Sequence, residues 1–424
     1  MKGREEPEAL KPYLGLWSAV AINVGTIIGG GIFVVTGITA GLAGSALVVS
    51  MVVAAVISVF TALSFVELTA WQPVEGSVYA YAYQLVSPFA GFLTGWMWLV
   101  SNTFAGAAVA LGFAYYFTAA IPILPVNVIA ALICIAFTAL NFVGIRQSAL
   151  FNNVLVATKL VILGFFVVFG LLHVNSANFM PFAPFSNGVL YGAYFIFFAY
   201  AGFARVAVVA EEIKDAKRTV PRAVLLSLAI STVVYILVGI VAVGLVGSVE
   251  LAASNSPLTE AIGVTGSSLA MQVMSLGGLV ATASVLLTSV LGVSRVAYAM
   301  ARRKDMPHVL SRLHGKFGTP YYSIWIAGIV MALLVLFVDL TQVVAVSIFA
   351  ILFYYAIANL AAFKLHSAKR RYHKLVHALG LITCLVFLAF SIFASTQAWI
   401  VGVVCLVAGV VAYGVKEYVL RMNS

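Results

Sequence analysis

The nine residues Gly25-Thr26-Ile27-Ile28-Gly29-Gly30-Gly31-Ile32-Phe33 put four glycines inside the first long apolar segment of the chain. Each glycine costs roughly 1 kcal/mol relative to alanine in a helix interior, so the run makes a poor continuous helix. Its bare backbone instead leaves main-chain groups open to a ligand. Inside a bilayer an unpaired N–H or C=O costs several kcal/mol, and an unwound stretch persists only where it is buried in protein or lines a cavity. The run predicts a deliberate break in a membrane helix, and the break marks a binding site.

Two charges belong to the same chemistry. Of the 23 Lys and Arg residues, only Lys159 and Arg205 fall inside apolar segments away from their ends. Lys159 lies ten residues into its segment, about 15 Å at the helical rise and near the centre of a roughly 30 Å hydrocarbon core. An ammonium at that depth must face the interior of the bundle. It either occupies a cation position held by main-chain carbonyls of the first break, or titrates, since burial favours the neutral form of an amine. Asn152, two turns earlier on the same face, fits a polar interior stripe. Arg205 stands about 9 Å from the end of its segment, where it snorkels to the interface, acts as an intracellular gate, or recognises an anionic group. Glu67 and Glu211 lie at segment ends and the other acids in loops or tails. A cationic side chain would find no carboxylate partner in the core, so a neutral substrate is expected.

The elements that must position these groups follow from composition. The 424 residues are 63% hydrophobic and only 8% charged, against roughly 25% charged in soluble domains. This is an all-α polytopic membrane protein. With about 20 apolar residues per crossing, twelve segments emerge: 14–40, 46–70, 89–118, 125–144, 149–172, 187–210, 222–247, 269–300, 323–338, 341–366, 375–393 and 397–418. The remaining Lys and Arg all fall at the N-terminus, the even-to-odd loops or the C-terminus, whereas the opposite loops carry only Glu250, Glu260, Asp339 and His173. By the positive-inside rule the basic face, with both termini, is cytoplasmic. The net charge of +10 is thus a topology signal and not a nucleic-acid footprint. The polar start runs directly into a glycine-broken segment, which predicts that no signal peptide is removed. Cys134, Cys384 and Cys405 sit in apolar segments without metal-ligand spacing, and suggest neither disulfide nor metal. No phosphate-binding loop is present, and no cofactor is implied.

Segment six carries a softer break at Phe198-Ala199-Tyr200-Ala201-Gly202-Phe203, five segments after the first. The second unit therefore enters the membrane from the opposite face. Two broken helices in corresponding places of inverted halves point to a secondary transporter site near the midplane.

These residues resemble the amino acid–polyamine–organocation (APC) superfamily. The run 25–33 resembles its first-helix signature, as do Glu67-Leu68, Pro73 and Gly76-Ser77-Val78-Tyr79-Ala80-Tyr81 after segment two. Ala210-Glu211-Glu212-Ile213-Lys214 with Arg218-Thr219-Val220-Pro221-Arg222-Ala223 is similar to its loop after helix six, 294–302 to its helix-eight end and Gly318-Thr319-Pro320 to its entry into helix nine. The resemblance implies a leucine-transporter-type fold of five plus five inverted helices. Residues 1–13 would be a cytoplasmic segment and 14–366 the core, with repeats 14–172 and 187–366; 367–424 would hold two accessory helices and a short tail. It further implies that N–H groups near Gly29, Gly30 and Gly31 hold a substrate carboxylate. Carbonyls at Ile27, Phe198 and Ala201, beside Gly202, would hold its α-amino group, in line with the polarity of half-helix ends. Lys159 matches a helix-five lysine of sodium-independent members, whose ammonium replaces a sodium ion; Gly25 and Ser284 are its expected partners. Two departures stand out. Ala204 and Arg205 replace an acidic residue after the helix-six glycine-aromatic pair, and Arg302-Arg303-Lys304-Asp305 replaces an acidic-glycine pair after helix eight.

The expectation is a secondary amino acid transporter of the inner or plasma membrane working by alternating access, with Phe33, Phe198, Phe203 and Arg205 closing the site. Proton-coupled symport through Lys159 is the first expectation for its energetics. Sodium-independent antiport or facilitated diffusion is the alternative, and a membrane amino acid sensor without flux is the rival of another class. No nucleophile and base lie together mid-membrane, so an enzyme is not expected.

Overall fold

The computed structural model describes residues 14–72, 77–144, 149–204, 206, 213–366 and 370–422. Arg205, the segment 207–212 and Pro73 to Gly76 lie outside the described residues, so the expectations placed on them end there. Among the described residues the protein is helical without strands, apart from an isolated bridge between Leu14 and Ile213.

Helix α1 (Leu16–Ile27) stops inside the glycine run, and α2 (Gly30–Ala43) starts beyond Ile28 and Gly29, whose backbones are not helical. A short 3₁₀ turn at Gly44–Ala46 then leads into α3 (Leu47–Trp71), with Gly44 at φ 60°, a left-handed conformation that suits glycine. Next come α4 (Ser77–Leu85), α5 (Pro88–Ala120), α6 (Val126–Val143), α7 (Ala149–Leu171) and α8 (Asn187–Tyr200), the last closing in a 3₁₀ turn at Ala201–Ala204. The chain continues through α9 (Ala216–Ala253), α10 (Pro257–Gly263), α11 (Ser268–Arg302), α12 (Tyr321–Phe337), α13 (Leu340–Lys364), α14 (Lys374–Ala394) and α15 (Thr396–Met422).

Within the described residues each apolar segment read from the sequence falls on these helices, the one at 187–210 as far as Ala204. The short helices α4 and α10 were not expected, because neither is long enough to register as a crossing. Helix α9 starts six residues before its apolar segment, in the polar stretch at 216–221, and kinks at Gly247 (φ 78°), where that segment ends. Lys304 takes φ 64°, a left-handed conformation, within the stretch 302–305 that departs from the resembled family.

Among the described residues nine helical runs are long and apolar enough to cross a membrane, and the first of them, Leu16–Trp71, covers 56 residues. Asn187–Phe203 and Tyr321–Phe337 are shorter apolar helices. Large apolar side chains such as Val161, Val168, Phe337 and Phe393 are exposed on the outer surface, as a surface bathed in lipid requires and a surface in water rarely tolerates. Inside, α5 packs against α11 and α13, α2 against α8, and α1 against α7 and α9. The first broken helix is thereby held among α5, α7, α9 and α11, and the second packs on it and on α3.

Candidate functional site

The two breaks touch. A Cβ added to Gly202 would stand 2.6 Å from the backbone N of Ile27 and the carbonyl carbon of Thr26, and one added to Gly31 would stand 2.7 Å from Cα of Ala199. Glycine is therefore required at both positions for the main chains to approach so closely. Gly202 does pack, and what it packs on is the first break. Asn23 adds a strap from α1, its Oδ1 accepting the N–H of Val206 at 2.8 Å.

Beside this junction lies a cavity of about 100 Å³. Thr26, Ile27, Gly30 and Gly31 supply one wall, and Phe198, Ala199, Ala201 and Gly202 the facing one. Helix α2 begins there with Gly29 as its cap residue and no side-chain cap. The first N–H groups of a helix have no intrahelical partner, so this end presents uncapped donors and the positive end of the helix dipole to the cavity.

The carbonyl side is more occupied than the sequence suggests. The Tyr235 hydroxyl of α9 lies 2.5 Å from the Ile27 carbonyl oxygen and 3.0 Å from that of Ala199, bridging both breaks. Tyr355 of α13 donates to the Ala201 carbonyl at 2.7 Å, and the Phe198 carbonyl accepts the N–H of Ala201. The Ile27 carbonyl also accepts the N–H of Gly29 at 2.8 Å, which fills both of its lone pairs, so it does not offer the free acceptor expected of it; the Phe198, Ala199 and Ala201 carbonyls can each accept once more. Neither tyrosine was foreseen; the one signal was a lone Tyr235 amid the Val, Ile and Leu of its segment.

Lys159 is 2% exposed, and its Nζ donates to the Gly25 carbonyl at 3.2 Å. The ammonium thus sits at the end of α1, where the dipole is negative. Ser284 turns its hydroxyl to the Ala281 carbonyl of its own helix, at 2.9 Å, so of the two expected partners Gly25 is in contact and Ser284 is bonded elsewhere.

The aromatic residues divide into two roles. Phe198 lines the cavity together with Phe65, Trp98 and Tyr354. Phe33 and Phe203 are fully buried behind it. Phe33 packs edge-on against Tyr116, whose hydroxyl donates to the Phe33 carbonyl at 3.0 Å, and Phe203 packs against Phe65 and Tyr355.

Two polar clusters lie away from the cavity. Glu67 is fully buried; its carboxylate accepts the N–H groups of Arg371 and Tyr372 at 2.5 and 2.9 Å, with His377 Nε2 at 3.8 Å. Asp305 accepts from the Tyr79 hydroxyl and from Lys416 Nζ, the latter at 2.8 Å, tying α4, the end of α11 and α15 together. Burial, then the bond to Asp305, pushes the Tyr79 phenol well above its usual range.

Two broken helices thus meet at a cavity, with open donors at the start of α2 and a lysine on a carbonyl in the last turn of α1. The chain belongs to the amino acid permease family, whose model matches residues 14–413, and so to the transporters of the APC superfamily. It is 37% identical over 421 residues to an uncharacterised transporter of Mycobacterium tuberculosis, covering 99% of this chain and 94% of that one. It is 31% identical to a branched-chain amino acid permease of Bacillus subtilis, covering 77% of this chain and 75% of the permease. With cationic amino acid transporter 5 of Arabidopsis thaliana it shares 28% identity over 94% of this chain and 73% of the transporter.

Proposed function

We propose that this multi-pass membrane protein is a sodium-independent secondary transporter of neutral amino acids that works by alternating access. The observation that carries the reading is the junction of the two breaks at Gly202 and Gly31 beside a cavity with uncapped N–H groups. The substrate carboxylate docks on the N–H groups of Gly30 and Gly31, that of Gly29 being donated to the Ile27 carbonyl at 2.8 Å. Its ammonium takes the free lone pairs at Phe198 and Ala201, beside Gly202, and would reach Ile27 only in place of one of that carbonyl's two present donors. Gly25 and Lys159 form the coupling site, with the ammonium where a sodium ion would otherwise bridge α1 and α11; Ser284 can join it by a rotamer change.

Counting Leu16–Trp71 as two crossings and each shorter apolar helix as one gives twelve spans. The reading takes these as a five-plus-five inverted core over 14–366 with two accessory helices over 367–424, both termini in the cytoplasm of an inner or plasma membrane. Val78 of α4, on the basic face, is part of the cavity wall, while Phe33 and Tyr116 seal the opposite side. This supports a state whose cavity leads toward the cytoplasm, with Phe33 and Phe198 as the outer gate and Phe203 as an inner element.

Neutral cargo follows from the cavity wall, which has no Asp or Glu among the described residues. The relatives' names differ in cargo and leave the side chain open. Proton coupling through Lys159 is the first choice of energetics; exchange or facilitated diffusion with Lys159 as a fixed cation has the same geometry. The test is uptake of labelled amino acids into proteoliposomes, together with Gly30→Val. A Cβ at Gly30 already meets Val109 at 2.8 Å, so the variant should lose amino acid binding, and wild-type affinity in it would remove the carboxylate site.

A further inference from the structure

Helix α11 carries hydroxyl side chains at 275, 282, 284, 288, 289 and 294 within its apolar body. Five of them are satisfied. Ser275 meets Thr259, and Thr282, Ser284, Thr288 and Ser294 donate to carbonyls of their own helix. Ser289 is the exception: it is 2% exposed, it lines the central cavity, and its hydroxyl has no hydrogen-bond partner among the described residues. The hydroxyl is not sealed among protein atoms but opens on the cavity, so what pairs with it is whatever fills the cavity, water or substrate.

A second polar group stands across from it. Asn102 of α5 lines the same cavity and donates its amide N–H to the Trp98 carbonyl at 3.0 Å, which leaves its Oδ1 as an acceptor. Gly106, one turn further along that face of α5, brings the two helices together, and a Cβ built on it would stand 3.4 Å from Ser289 Cβ. The other hydroxyls of the wall are engaged: Thr26 donates to the Ile22 carbonyl, and Ser101 lies against Ser347.

We infer that Asn102 and Ser289 form a side-chain subsite for a short uncharged polar group, a hydroxyl or a carboxamide, on the transported amino acid. An acceptor on α5 and a donor-acceptor on α11 complement either group. The spacing sets the length. Val109, which meets Gly30, lies seven residues beyond Asn102, about 10 Å along the helix. Hydrogen bonds at the two ends take about 3 Å each. Roughly 4 Å remain for the ligand, the reach from a carboxylate to the polar end of a one- or two-carbon side chain, and a cavity of about 100 Å³ agrees with a small substrate.

This inference rests on the transport reading, and threonine against valine, equal in shape and different by one hydroxyl, separates the two. Inhibition constants of both are measured against labelled amino acid uptake in proteoliposomes of the whole protein. Threonine should compete at least about tenfold better than valine, the worth of one well-made hydrogen bond. In Ser289→Ala, and separately in Asn102→Leu, the ratio should fall to within about threefold, so a failure of either variant to fold leaves the other and the wild-type ratio. Equal competition in the wild type, or a ratio unmoved by the variants, overturns the subsite and leaves the transport reading standing. Absence of uptake and binding for every amino acid overturns the transport reading itself.

Discussion

Replacing Gly202 by alanine tests the contact on which the site is built. The new Cβ would lie 2.6 Å from two backbone atoms of the first break and 2.8 Å from the Thr26 oxygen, whereas ordinary contacts begin at 3.4 Å. No side chain can swing away, because the opposing atoms are main chain. The breaks must therefore separate by about 0.8 Å, the difference between those two distances. Overpacking of this kind costs about 1–3 kcal/mol, and a displacement near 1 Å at a positioned site costs roughly a hundredfold. The variant should bind amino acid about 10- to 100-fold more weakly and melt at lower temperature in detergent. Gly164→Ala is the control: nothing lies within 4 Å of its Cβ position on α7, so stability should change by less than about 1 kcal/mol and uptake should be preserved. Wild-type affinity in Gly202→Ala, measured by titration of the purified protein, would refute the junction as the binding site.

Other outcomes follow from single contacts. Tyr235→Phe removes the hydroxyl between the Ile27 and Ala199 carbonyls; it should destabilise the protein by about 1–3 kcal/mol and weaken amino acid binding, seen in thermal melts and ligand titration. Asp305→Ala removes the buried acceptor of Lys416 and Tyr79 and leaves Lys416 only Glu417, at 3.5 Å. Breaking a buried pair costs about 3–5 kcal/mol, and because the Lys416 side chain keeps 13% exposure about 3 kcal/mol is expected. Asp305→Ala with Lys416→Met should recover much of the loss, and a double mutant no more stable than the single one would show that the pair is not what ties α4 to α15.

How much of this was legible beforehand can be read from particular residues. The break at 28–29 was visible because glycine clusters cannot be mistaken in an apolar helix, and Lys159 because a single charge stands out where charge is expensive. That Lys159 reaches the Gly25 carbonyl was implied by family resemblance. Tyr235 and Tyr355 were hidden, since a tyrosine in a membrane helix looks like any large apolar residue until the position of its hydroxyl is known. Ser284 was expected on Lys159, but a serine can satisfy itself on its own helix, and this one does. Glu67 was placed at a segment end, yet its burial depends on a loop 304 residues away folding its N–H groups over the carboxylate. The polar clusters joining α4, α14 and α15 arise from long-range packing that periodicity does not encode.

The most direct test of the central claim is accumulation of labelled neutral amino acid in proteoliposomes, with and without an inward proton gradient, for wild type and Lys159→Ala. Uptake without sodium that the gradient stimulates, and loss of that stimulation in Lys159→Ala, is the predicted result. No flux of any amino acid in the wild type would contradict the account, leaving a protein that binds its ligand between the two breaks and does not move it.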